Sequence, residues 1–146
     1  FLGHHSRMES YCYEVLGQKS VSTLEKKDIY LVKLHRMANA ELRYADAIEL
    51  CLTILKDLGC RFPRGGRMGL MIALVSVHRT VKMVKKTPIE ALDSLPVVTD
   101  PLILATSAFL NRLTEWTYLA GGKFSYLYIL ATTKMVQMTL SYGSFA

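Results

Sequence analysis

The sequence predicts an all-α fold, about six helices in antiparallel pairs, forming a fragment of a degenerate helical-repeat array, or α-solenoid. Three observations carry this expectation. Apolar residues recur at helical spacing along the chain, and no segment sustains the alternation of a strand. Capping residues and glycine or proline stops bracket the apolar stripes. Of the 146 residues, 51% are hydrophobic and 10% aromatic, enough for one core and too many for a disordered chain.

The elements follow in order. Residues from about 4 to 16 suit a first helix, broken at Gly17. Ser22-Thr23-Leu24-Glu25 has the form of a capping box, with Ser22 accepting from a first-turn amide and Glu25 reaching back. The helix after it places Tyr30, Leu31, Leu34, Met37 and Ala38 on one face. In the next helix Tyr44, Ala47, Ile48, Cys51, Leu55 and Leu58 form a single stripe and are the expected core. Gly59 supplies the left-handed stop, and Pro63 prevents resumption.

A basic, glycine-rich connector follows. Beyond it Leu70, Leu74, Val77, Val81 and Val84 make another stripe, with Arg79, Lys82 and Lys86 opposite. Thr87-Pro88-Ile89-Glu90 opens a short helix, with Thr87 as cap and Pro88 at the first position, and Pro96 ends that region. Asp100-Pro101 starts a long helix by the same device. It is apolar nearly all round, strongest on Leu102, Phe109, Leu113 and Trp116, as for a helix sandwiched between neighbours. After Gly121-Gly122 the last helix carries Phe124, Leu127, Tyr128, Ala131, Met135, Met138 and Tyr142, and stops at Gly143.

The run from Met68 to Val77 is about half a membrane span, and residues 124–142 carry Lys134 and Gln137 well inside, so no transmembrane helix is expected. Cys12, Cys51 and Cys60 are odd in number and lack CxxC spacing, which favours a reduced, cytoplasmic setting over a disulfide framework. The chain starts at Phe1 without a signal-peptide layout and closes on the opening of another element. Both ends read as cuts in a longer chain. A net charge of +6 permits attraction to acidic partners and says nothing about fold.

Four motifs resemble one family region. They are Tyr44-Ala45-Asp46-Ala47-Ile48-Glu49; Leu55-Lys56-Asp57-Leu58-Gly59-Cys60-Arg61-Phe62-Pro63; Thr87-Pro88 with Leu95-Pro96-Val97-Val98-Thr99-Asp100-Pro101; and Leu140-Ser141-Tyr142-Gly143. Their order is similar to the tetratricopeptide-like helical region that follows the P-loop ATPase module of very large multidomain signalling proteins. Such proteins join a Ser/Thr kinase-like domain, the ATPase, the helical region, and often GAF and histidine kinase modules. Val98 departs from the usual Met, and Arg43 follows Leu42 where a Gly often sits. The resemblance runs from about residue 20 to the end. It implies a scaffold whose parent has ATPase or kinase activity; no phosphate loop, HRD, DFG or phospho-accepting histidine box is present here.

Other residues invite sharper readings. Phe62 to Gly69, with Arg61, Arg64 and Arg67, has the makings of an anion cradle; a solvated connector is the simpler reading. Arg79, Lys82, Lys85 and Lys86 form a candidate interaction face, and without aromatic residues for base stacking a nucleic-acid surface is disfavoured. His4-His5, His35 and His78 lack metal spacing. Cys60 sits in a basic loop where Arg61 would lower its pKa. No catalytic arrangement, metal site or cofactor is expected in this segment.

The chain is therefore expected to be one helical-repeat segment over residues 1–146: hairpins over 1–59, the connector over 60–67, a helix, short helix and proline connector over 68–100, and a hairpin over 101–146. Its expected function is non-catalytic positioning or relay between domains, with flanking domains of the same chain and protein partners. The alternative is a free-standing basic module binding acidic lipid or nucleic acid.

Overall fold

The computed structural model describes residues 10–145 except 13, 19 and 64, and among these the chain is helical with no strand. Residues 10–12 and 14–17 are helical. Then come α1 (Lys27–His35), prolonged by a π-helical turn (Arg36–Ala40), α2 (Tyr44–Asp57), α3 (Arg67–Lys86), the short α4 (Ile89–Asp93), α5 (Pro101–Ala120), a 3₁₀ turn (Gly122–Phe124) and α6 (Ser125–Tyr142). Counting the stretch before α1, that is one helix more than the sequence led us to expect.

Local chemistry sets most boundaries. Ser22 and Glu25 close a reciprocal box: the Ser22 amide donates to Glu25 Oε2 at 2.8 Å and the Glu25 amide to Ser22 Oγ at 3.2 Å. Lys26, buried next to it, donates to the carbonyls of Leu16 and Gln18 and so ties the preceding helical stretch to α1. At the end of α2 the Cys60 amide donates to Leu55 O at 2.7 Å and the Gly59 amide to Lys56 O at 3.0 Å, with Gly59 at φ +88°. That is the Schellman pattern, which satisfies carbonyls the helix leaves unpaired. Asp100 accepts from the Leu102 and Ile103 amides, with Pro101 in the first turn of α5.

Thr87 does not cap α4. It is the C-terminal cap of α3, its hydroxyl donates back to Met83 O at 2.9 Å, and Pro88 takes the position preceding α4. The Thr87 hydroxyl is turned back to Met83 O, and no side-chain hydrogen bond caps α4.

The core is one cluster drawn from α1, α2, α5 and α6. Leu34 and Ala38 meet Ala47, Ile48, Cys51, Ile54 and Leu55 of α2, then Phe109, Leu110, Leu113 and Trp116 of α5, then Phe124, Leu127, Ala131 and Met138. Tyr44 and Leu58 pack at its edge. The Trp116 indole nitrogen is buried without an acceptor among the described residues, so apolar packing alone holds the ring. Leu102, Tyr128 and Tyr142, expected on packed faces, are exposed. Leu102 lies in the first turn of α5; Tyr128 instead stacks obliquely on Tyr118, their ring centroids 5.7 Å apart.

The helices do not pack in chain order. α5 lies between α2 and α6 as its all-round apolarity requires, but α3 packs on the far side of α6 and shares no substantial interface with α2. The spatial order is α1, α2, α5, α6, α3. A simple sequential stack is therefore not what these residues build.

The long return from α3 is pinned by a junction between two motifs distant in sequence. The Ser144 amide donates to Pro96 O at 2.8 Å, and the Val98 amide donates to Ser144 O at 3.0 Å, an isolated parallel bridge. Gly143 stands between them at φ +121°, where a Cβ would lie 2.0 Å from Pro96 O. The glycine is needed there twice, for its conformation and for the approach.

Candidate functional site

Helix α3 is the element whose packing leaves most unexplained. Nothing in residues 67–86 breaks it: no proline occurs, Gly69 is its one glycine, and Lys85 and Lys86 complement the carbonyl end of the helix. Its packed face is the row Gly69, Ala73, Ser76, Thr80, small and partly polar. Small side chains let the α6 backbone come close. The hydroxyls then find partners across the interface: Ser76 Oγ pairs with Thr133 Oγ1 at 2.7 Å, and Gln137 Nε2 donates to Thr80 Oγ1 at 2.8 Å.

The apolar stripe faces the other way. Leu70, Leu74, Val77, Val81 and Val84 are between 37% and 60% exposed, and Met68, Met71 and Val75 more so. None of α3 enters the main core cluster. The stripe expected to be a packed face is therefore real as a pattern but has no partner among the described residues. Two glycines explain why the other face won. A Cβ on Gly69 would sit 2.8 Å from Cδ2 of Tyr126, and one on Gly65 3.3 Å from the same ring. Tyr126 fills the space above the connector and its hydroxyl reaches Pro63 O at 3.5 Å.

This also assigns the Phe62–Gly69 connector. Its glycines make room for a tyrosine ring; Arg64 lies outside the described residues. Cys60 is buried, and that burial pushes its thiol up, with Lys134, and not Arg61, opposing the shift. Burial also raises the Cys51 thiol well above its ordinary value; its Sγ donates to Phe109 O at 3.4 Å. Neither cysteine is an activated nucleophile. His35 pairs with Asn39 at 2.8 Å, His4 and His5 lie outside the described residues, and no group of three metal-ligating side chains occurs among the described residues. No helix there is long and apolar enough to cross a membrane.

The candidate basic face lies in solvent. Arg79, Lys82, Lys85 and Lys86 are all exposed, and none is paired with a carboxylate among the described residues. A wider charge segregation surrounds it. Residues 58–89 and 116–146 contain nine Lys and Arg and not one Asp or Glu. These segments hold α3 and α6, which pack on each other, so neither helix of that pair carries a carboxylate of its own. The ion pairs, such as Arg43 with Asp46 at 2.8 Å and Arg112 with Glu115 at 2.9 Å, involve elements other than α3 and α6. The distribution of carboxylates along the chain is the signal that would have shown this from sequence.

No family model, curated protein or solved structure matches the chain.

Proposed function

We propose that the chain is a non-catalytic helical interaction module whose partner is an acidic amphipathic helix laid along the outer face of α3. One observation carries the reading: Leu70, Leu74, Val77, Val81 and Val84 are solvent-facing and recur at alternating steps of four and three residues. That is the spacing of a coiled-coil seam, which buries its knobs only when another helix supplies the holes. Met71, His78 and Lys85 flank the seam on its open side, and the absence of carboxylates on α3 and α6 favours an acidic partner over a basic one. Exposed methionines suit such a surface because they adapt to different apolar shapes.

The set of motifs that resembles the helical region of multidomain signalling ATPases fits this reading. A flanking domain of the same parent chain, or a separate protein, would supply the helix, and the module would position or relay between them. A cytoplasmic setting agrees with the three unpaired thiols. A second reading, docking on an acidic lipid surface, draws on Met68, Met71 and Val75 beside the cations.

The test uses designed three-heptad peptides with leucine at the seam and either glutamate or lysine at the flanks. The acidic peptide should bind the chain, the basic one should not, and Leu74→Glu with Val81→Glu should abolish binding while leaving the helical spectrum intact. Equal binding of both peptides, or none, would overturn the proposal. So would a dimer that forms through the seam, or binding of anionic vesicles that Leu74→Glu does not weaken.

A further inference from the structure

Across α3 from the seam lies a cleft of about 210 Å³ between α3 and α6. It is lined by Arg79 and Met83 of one helix and by Lys134, Gln137, Met138, Ser141 and Tyr142 of the other. We infer that this cleft is a phosphate-monoester site that receives the phosphorylated side chain of a polypeptide, clamped between Arg79 and Lys134.

Four features of the cleft support this. It presents two full cations from facing helices and has no carboxylate in its lining, and neither cation is paired with one among the described residues. Such an arrangement has unspent charge and favours a dianion. The cleft is also held in shape: Gln137 Nε2 donates to Thr80 Oγ1 at 2.8 Å and to Ser76 Oγ at 3.4 Å, which fixes the register of α6 on α3 beside Arg79. With that amide committed, the hydroxyls of Ser141 and Tyr142 are the neutral donors left to a bound oxygen. Tyr142 is 53% exposed, which its place on an apolar stripe does not explain.

Size selects within the anions. At about 210 Å³ the cleft is smaller than the ~300–1,000 Å³ pockets that enclose drug-sized ligands. One phosphate and a short side-chain stem fill a cleft of this size. Met83 and Met138 give the stem an apolar wall. The carbonyl end of α6 opposes an anion, but only with about half an elementary charge against two whole ones.

Titration of the isotopically labelled chain with O-phospho-L-serine tests the inference by amide shifts. The expected result is saturable shifts at Thr80, Lys134, Ser141 and Tyr142 with L-serine inert. Arg79→Gln and Lys134→Gln, both at exposed positions, should each weaken binding about tenfold, as loss of one charge-assisted contact does. Leu74→Glu, which disables the seam, should leave phosphoserine binding unchanged, so this site and the seam stand or fall separately. Shifts that do not saturate, or that survive Arg79→Gln with Lys134→Gln, overturn the site. Inorganic phosphate binding as tightly as phosphoserine overturns the polypeptide ligand. So does binding of phosphatidylinositol 4-phosphate vesicles, lost in the double variant, by a chain that ignores phosphoserine.

Discussion

Replacing Gly143 by alanine should be among the most damaging single-methyl additions in this chain. The added Cβ would stand 2.0 Å from Pro96 O, far inside contact distance, and the residue sits at φ +121°, ψ −170°, a region essentially reserved for glycine. The backbone strain costs about 1–3 kcal/mol. Relieving the clash means separating residue 143 from Pro96, and with it the two hydrogen bonds Ser144–Pro96 and Val98–Ser144, at about 1 kcal/mol each. The expected loss is about 3–5 kcal/mol, or a fall in Tm on the order of 10 °C. Gly59→Ala is the control, because Gly59 is at φ +88° with nothing within 4 Å of an added Cβ, so it carries strain alone, about 1–2 kcal/mol. Urea unfolding of both variants measures the difference, and amide exchange at Val98 and Ser144 should accelerate only in Gly143→Ala. If the two variants lose the same stability, the junction between the proline connector and the end of α6 does not hold the fold as described.

Two further outcomes follow from local geometry. Leu42 is a non-glycine residue at φ +52° and 68% exposed, so Leu42→Gly removes strain and little burial; thermal unfolding should show a gain of about 0.5–1 kcal/mol, and a loss would show that Leu42 packs. The Ser22 amide, and then its hydroxyl, hold the Glu25 carboxyl below its ordinary value of 4.5. A lowered folded-state pKa stabilises above the unfolded value and is lost as pH falls through the folded one. Stability of the chain relative to Glu25→Gln should therefore be constant above pH 4.5 and decline below it, as acid titrations of both would read; a difference independent of pH would contradict the box.

The cores of α1, α2 and α5, and the places where α2 and α5 begin or end, are decided within a few residues, and the sequence alone determined them. Ala47, Ile48, Cys51 and Leu55 are buried because their spacing puts them on one side of any helix they form, and Gly59 or Asp100 act on amides and carbonyls of their own turn. What α3 does with its two faces is another matter. Leu70, Leu74, Val77, Val81 and Val84 read as the face to bury, yet Gly69, Ala73, Ser76 and Thr80 are the ones that pack. Hydropathy ranks side chains by their cost in water. It does not register that a row of small residues admits a close backbone, or that Gln137 and Thr133, about sixty residues away, satisfy its hydroxyls. Thr87 was misread for a similar reason, since its hydroxyl had two chemically adequate directions. The cleft between Arg79 and Lys134 and the meeting of Pro96 with Gly143 likewise join residues whose separation in sequence carries no period. Only the tertiary structure decided these, because they depend on which helix lies beside which, and that order is not the order of the chain.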